Sequence, residues 1–155
     1  MFKRKTLPGL AMVAIILSIV AIALSAFGAF AGRPIKGADT VGSNDWTIGA
    51  INDSGKIVES RRSIYTKDMM SVEDMEITLA EEHSVSYRVV FYDKEEAYLS
   101  STEDLSADFD VENLPENAEY FRVIVTPDPI DDEPVEITFV NKAKYAKQLE
   151  IAYGK

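Results

Sequence analysis

The chain has 155 residues, 26 Asp and Glu against 16 Lys and Arg, one His and no Cys, for a net charge of −10. Without cysteine there is no disulfide, no thiolate chemistry and no lipoprotein anchor, so packing alone must hold any exported domain together. The acidic balance excludes nucleic acid, whose phosphates need a basic surface, and disfavours anionic lipid.

Lys3, Arg4 and Lys5 open the chain, and residues 10–30 then read LAMVAIILSIVAIALSAFGAF without a charge. At about 1.5 Å per residue this run makes a helix of about 31 Å, the thickness of a bilayer's hydrocarbon core. The denser basic cluster on the N-terminal side predicts that this end stays in the cytoplasm. The expected organisation is a basic N-terminus over 1–9, a transmembrane signal anchor over 10–31, a spacer over 32–44 and an extracellular domain over 45–155. The protein is then a single-pass cell-membrane protein that contacts the lipid bilayer through residues 10–30. The alternative is a secretory signal cleaved before Gly32, after the small-residue triplet Ala29-Phe30-Ala31. The run exceeds the usual signal core, which favours the anchor. All 26 acids follow the run and three of the 16 bases precede it, so the exported part balances at −13.

Gly32 to Asn44 is rich in glycine and small polar residues, as a spacer is. From Trp46 the pattern changes to a period of two. WTIGAI and KIVESRRSIY flank Asn52-Asp53-Ser54-Gly55, a hairpin signal. MEITLA places Ile77 and Leu79 on one face. In VSYRVVFYD, Val85, Tyr87, Val89 and Phe91 share one face, and Ser86, Arg88, Val90 and Tyr92 share the other. Both faces are partly apolar, which predicts a central strand. AYLSS, LSADFDV, YFRVIVT and VEITFV read as further strands, and the tail as a last strand over Gln148 to Tyr153. Eight or nine short strands with regular turns predict an all-β antiparallel sandwich.

The segments WTIGAINDSGKIVESRRSIYT, YRVVFYDKEEAYLSS and ENAEYFRVIV together resemble carbohydrate-binding-like jelly-roll modules. Such modules occur in phage tail and receptor-binding proteins and in Gram-positive surface proteins. The matching positions are Gly55, Ser60, Arg61 or Arg62, Ser63, Tyr92-Asp93, Leu99-Ser100, Ala118, Tyr120 and Arg122, and QLEIAYG is similar to their closing strand. The resemblance implies a jelly-roll sandwich that binds glycans without catalysis.

Sugar sites on sandwiches stack an aromatic ring on a pyranose face and fix its hydroxyls with nearby polar groups. The candidates are Trp46, Tyr65, Tyr92 and Tyr98, with Arg62 and Arg122 as donors. Aromatic residues in alternating strands also belong in cores, and arginines also pair with acids. Asp128, Asp131, Asp132 and Glu133 form an acidic loop that could offer oxygens to calcium, although the D-x-[DN]-x-[DN]-G loop is absent. His83 stands alone, and no nucleophile motif, metal-binding pair or phosphate loop accompanies it. The expected function is therefore non-catalytic binding of a glycan. The alternative is a protein-interaction or structural subunit of an envelope or virion assembly. An exposed aromatic in a polar groove would favour the first, and an exposed apolar patch or free strand edge the second.

Overall fold

The computed structural model describes residues 39–154. The basic N-terminus, the apolar run and the spacer as far as residue 38 lie outside the described residues. Among the described residues, no helix is long and apolar enough to cross a membrane.

The described chain is all-β and antiparallel. Its strands are β1 (Asp39–Thr40), β2 (Trp46–Ile48), β3 (Ala50–Ile51), β4 (Ile57–Val58), β5 (Ile64–Thr66) and β6 (Met70–Ser71). They continue as β7 (Glu76–Leu79), β8 (Val85–Tyr92), β9 (Tyr98–Ser101), β10 (Tyr120–Pro127) and β11 (Leu149–Tyr153), with helix α1 (Lys142–Ala146) before β11. The large sheet runs β2-β5-β10-β8-β9, with β6 also on β10; the small sheet runs β1-β11-β7; β3 and β4 form a separate hairpin.

The alternation in β8 decides the layering. Val85, Tyr87, Val89 and Phe91 turn inward and meet Phe121, Val123 and Val125 of β10. The small sheet closes this core with Ile77, Leu79, Leu149 and Ile151, and Trp46, Ile137 and Tyr145 fill its flanks. The opposite face of β8 is apolar as well. Val90 and Tyr92 join Ile124, Tyr65 and Ile51 in a second, smaller cluster. Ile51 comes from the β3–β4 hairpin, which folds over the outer face of the large sheet. Packing on both sides makes β8 and β10 the centre of the fold, as the two apolar faces of VSYRVVFYD predict.

Several boundaries differ from the sequence reading. Residues 39–44, read as spacer, belong to the domain: Asp39 and Thr40 pair with Tyr153 and Ala152, and Val41 N donates to Ile151 O at 3.1 Å. WTIGAI is two strands, not one, because the chain leaves the large sheet at Gly49. A Cβ there would stand 2.8 Å from the Tyr65 ring, so only glycine allows this approach. LSADFDV and VEITFV are not ladder strands. The first touches β8 through one bridge, Tyr87 to Leu105, and the second breaks into a turn. The final strand lies where the tail pattern places it.

The registers also define two ends. At the lower end Asp39 pairs with Tyr153, Gly154 N donates to Glu73 O, Val72 N to Glu119 O and Glu119 N to Tyr92 O. At the upper end Asp128 N donates to Ser84 O, Ala80 N to Gln148 O and Ile137 N to Arg61 O. The eight residues of β10 separate the ends by about 26 Å at 3.3 Å per residue.

Candidate functional site

Cross-strand registers arrange the outer face of the large sheet in three rows. Tyr65, Ile124 and Arg88 form the upper row, Arg122, Val90 and Ser101 the middle one, and Tyr120, Tyr92 and Tyr98 the lower one. Tyr65, Tyr92, Tyr98 and Arg122 therefore come together on one face. Tyr65 is 9% exposed and Tyr92 3% exposed, while Tyr98 is half-buried. Tyr92 and Tyr98 meet edge to face with centroids 6.4 Å apart. Burial raises the Tyr92 phenol above its usual range; the Arg122 guanidinium opposes the shift and Tyr98 adds to it.

The β3–β4 hairpin covers this face. Its turn repeats in the β8–β9 connection. Asn52 Oδ1 accepts from Ser54 N at 2.9 Å and Lys56 N at 3.0 Å; Asp93 Oδ1 accepts from Glu95 N and Ala97 N, both at 2.9 Å. The fourth residue is left-handed in both turns, Gly55 at φ 81 and Glu96 at φ 65. Gly55 also lies against Tyr98, where a Cβ would stand 2.6 Å from Cδ1. Tyr92 Oη donates to Gly55 O at 3.2 Å, and Arg88 Nη2 meets Asp53 Oδ1 at 3.5 Å.

The other two sugar candidates lie elsewhere. Trp46 is 1% exposed in the main core, so its ring offers no face to a ligand. Its carbonyl accepts from Lys142 Nζ at 2.8 Å. Arg62 is exposed at the upper end, in a pocket of about 370 Å³ lined by Ser60, Arg61, Arg62, Pro134 and Glu136. Arg61 and Glu136 pair there at 3.4 Å with both side chains mostly in water.

In the acidic loop, Ile130 and Glu133 exchange both backbone hydrogen bonds around Asp131 and Asp132, which are left-handed at φ 53 and 65. This is a two-residue hairpin of the kind Asp and Asn favour. Asp128, Asp131, Asp132 and Glu133 are all exposed. Among the described residues, no group of three His, Cys, Asp or Glu is placed to hold a metal ion.

The sequence reading missed the most exposed apolar feature. Phe139 is 87% and Val140 93% exposed, side by side at the upper end. The turn that carries them is heavily bonded. Thr138 N donates to Asn141 Oδ1 at 2.7 Å, Thr138 Oγ1 accepts from Val140 N at 3.2 Å and Asn141 N at 3.3 Å, and Asn141 Nδ2 donates to Glu136 O at 3.1 Å. The signal was present in Thr138 and Asn141, which flank the pair at turn spacing. The alternation of VEITFV obscured it.

No protein-family model matches the chain, and neither curated proteins nor solved structures give a match.

Proposed function

We propose that this protein is a membrane-anchored, non-catalytic recognition module that binds a partner protein through the Phe139–Val140 turn. The support is the turn itself. Two adjacent apolar side chains stand in water on a backbone fixed by four side-chain hydrogen bonds. Exposure of such a pair costs solubility, and fixing it beforehand reduces the ordering entropy lost on binding. The turn lies at the upper end, and the described chain enters at the lower end. An exposed apolar pair held in this way suits a subunit of an envelope or virion assembly. The jelly-roll-type sandwich belongs to the same proposal, supported by two antiparallel sheets around one core.

A photo-crosslinking residue at position 139 of the full chain, expressed in its native host, tests the reading. A discrete protein adduct is expected from position 139 and not from Glu112. No adduct at 139, or the same adduct at both positions, rejects it.

A glycan reading has its own support: Tyr65, Tyr92, Tyr98 and Arg122 share one face. It places the sugar under the β3–β4 hairpin rather than in an open groove.

A further inference from the structure

Arg122 sits in the middle of the covered face, opposite Val90 and between Tyr120 and Ile124 on its own strand. Its Nη1 donates to Thr66 O at a long 3.4 Å. Its Nε is buried with no hydrogen-bond partner among the described residues. Ion pairs among these residues form at Arg61 and Arg88, not at Arg122. In a chain with 26 acids, a half-buried guanidinium without a carboxylate partner is unexpected.

We propose that this face binds a saccharide bearing a carboxylate, which Arg122 holds side-on through Nε and Nη2. The proposal rests on the glycan reading and supplies its substrate class. With Nη1 turned to Thr66, the opposite edge of the guanidinium plane remains for a ligand. Its two parallel N–H groups match the two oxygens of a carboxylate. Tyr98 and Tyr120, both half-buried at the foot of the face, offer rings to the sugar's C–H groups.

Entry requires the hairpin to lift. Among the described residues, β3 and β4 pair only with each other, so no sheet ladder fixes them to the face. At its base Gly49 N donates to Ser63 O at 3.0 Å and Ser63 Oγ donates to Gly49 O at 2.7 Å, a fixed hinge. Beyond it side chains hold the hairpin: Ile51 in the minor cluster, the Tyr92 hydroxyl on Gly55 and the Arg88–Asp53 contact, where the Asp53 side chain is 99% exposed. Elements attached this lightly open well below the global unfolding free energy.

Calorimetric titration of the detergent-solubilised full chain with methyl glucuronide and methyl glucoside tests the proposal, because the two differ only in the carboxylate. The glucuronide should bind at least about tenfold more tightly than the glucoside or acetate. Arg122→Lys, which keeps the charge and loses the fork, should remove that preference at an unchanged melting temperature. Equal binding of both glycosides overturns the carboxylate inference and leaves the glycan reading standing. Binding of neither overturns both, and acetate binding as tightly as the glucuronide overturns the saccharide. If Arg122→Lys does not fold, Ile51→Ala decides: it removes the hairpin's buried anchor on the face, so the cover lifts more readily and glucuronide affinity should rise, and unchanged affinity counts against the site.

Discussion

Glu96 occupies the position that Gly55 holds in the matching turn, and both are left-handed. A non-glycine residue there carries a steric cost of about 1–2 kcal/mol, partly offset by the unfolded-state freedom that glycine adds. Glu96→Gly should therefore stabilise the domain by about 0.5–1 kcal/mol in urea denaturation, and a loss of stability would show that the Glu96 side chain earns its place by another contact. Tyr87 gives a pH signature. It is 1% exposed, its hydroxyl donates to Ala107 O at 2.6 Å, and burial followed by the Asp108 carboxylate pushes its phenol far above the ordinary 10.0. Below that ordinary value Tyr87 is protonated both folded and unfolded, and its stabilisation is complete. As pH rises through 10.0, the unfolded phenol ionises while the folded one resists, so stability falls toward the folded-state value. Tyr87→Phe should lower neutral stability by about 1 kcal/mol. Its melting temperature should then fall less steeply above about pH 10 than that of the native chain.

The elements differ in how plainly the sequence shows them, and the reason is what each side chain packs against. β8 and β10 are readable because their inner faces are buried throughout, their outer faces are partly covered, and their alternation is complete. Phe91 illustrates the inward face: it is 1% exposed and its ring lies 6.0 Å from that of Phe109. Phe91→Ala should cost about 3–5 kcal/mol in denaturant titration through lost burial and a cavity. A cost below about 1 kcal/mol would contradict the inward register. LSADFDV alternates like a strand and is not one. Leu105 and Phe109 do pack against the core, but the intervening Asp108 accepts from Leu79 N at 2.9 Å and Phe109 N donates to Ile77 O at 3.1 Å. The segment thus blocks the free edge of β7 instead of adding a ladder, an edge protection that periodicity cannot reveal. VEITFV fails differently: Ile137 is buried as its pattern demands, and turn chemistry then overrides the alternation at Thr138.

At the scale of the molecule, the gathering of four sugar candidates on one face was not legible residue by residue. Tyr65, Tyr92, Tyr98 and Arg122 come from four strands, and only pairing brings them into adjacent rows. Trp46 looked equally suitable in the sequence, and a period of two does not say which face a large ring takes when both are apolar. The anchor is tested on the intact cell-associated protein. Mass spectrometry should recover peptides spanning Ala31–Gly32, and a mature form beginning only at Gly32 would replace the anchor by a cleaved signal.

The seam between β1 and β11 has a mechanical meaning. The chain enters through two paired residues and the bond from Val41 N to Ile151 O, and the next firmly buried side chain is Trp46. A pull on the segment before Asp39, against a grip at the upper end, runs along β1 and loads these few bonds together, in shear. Seven residues, Asp39 to Asp45, would come free before tension reaches the tryptophan, releasing up to about 24 Å of slack. In a force-extension experiment gripping the N-terminus and residue 139, that release should come first, at low force, as a reversible step separate from rupture of the core. The lower end would then act as a shock absorber, spending extension before the sheets are strained.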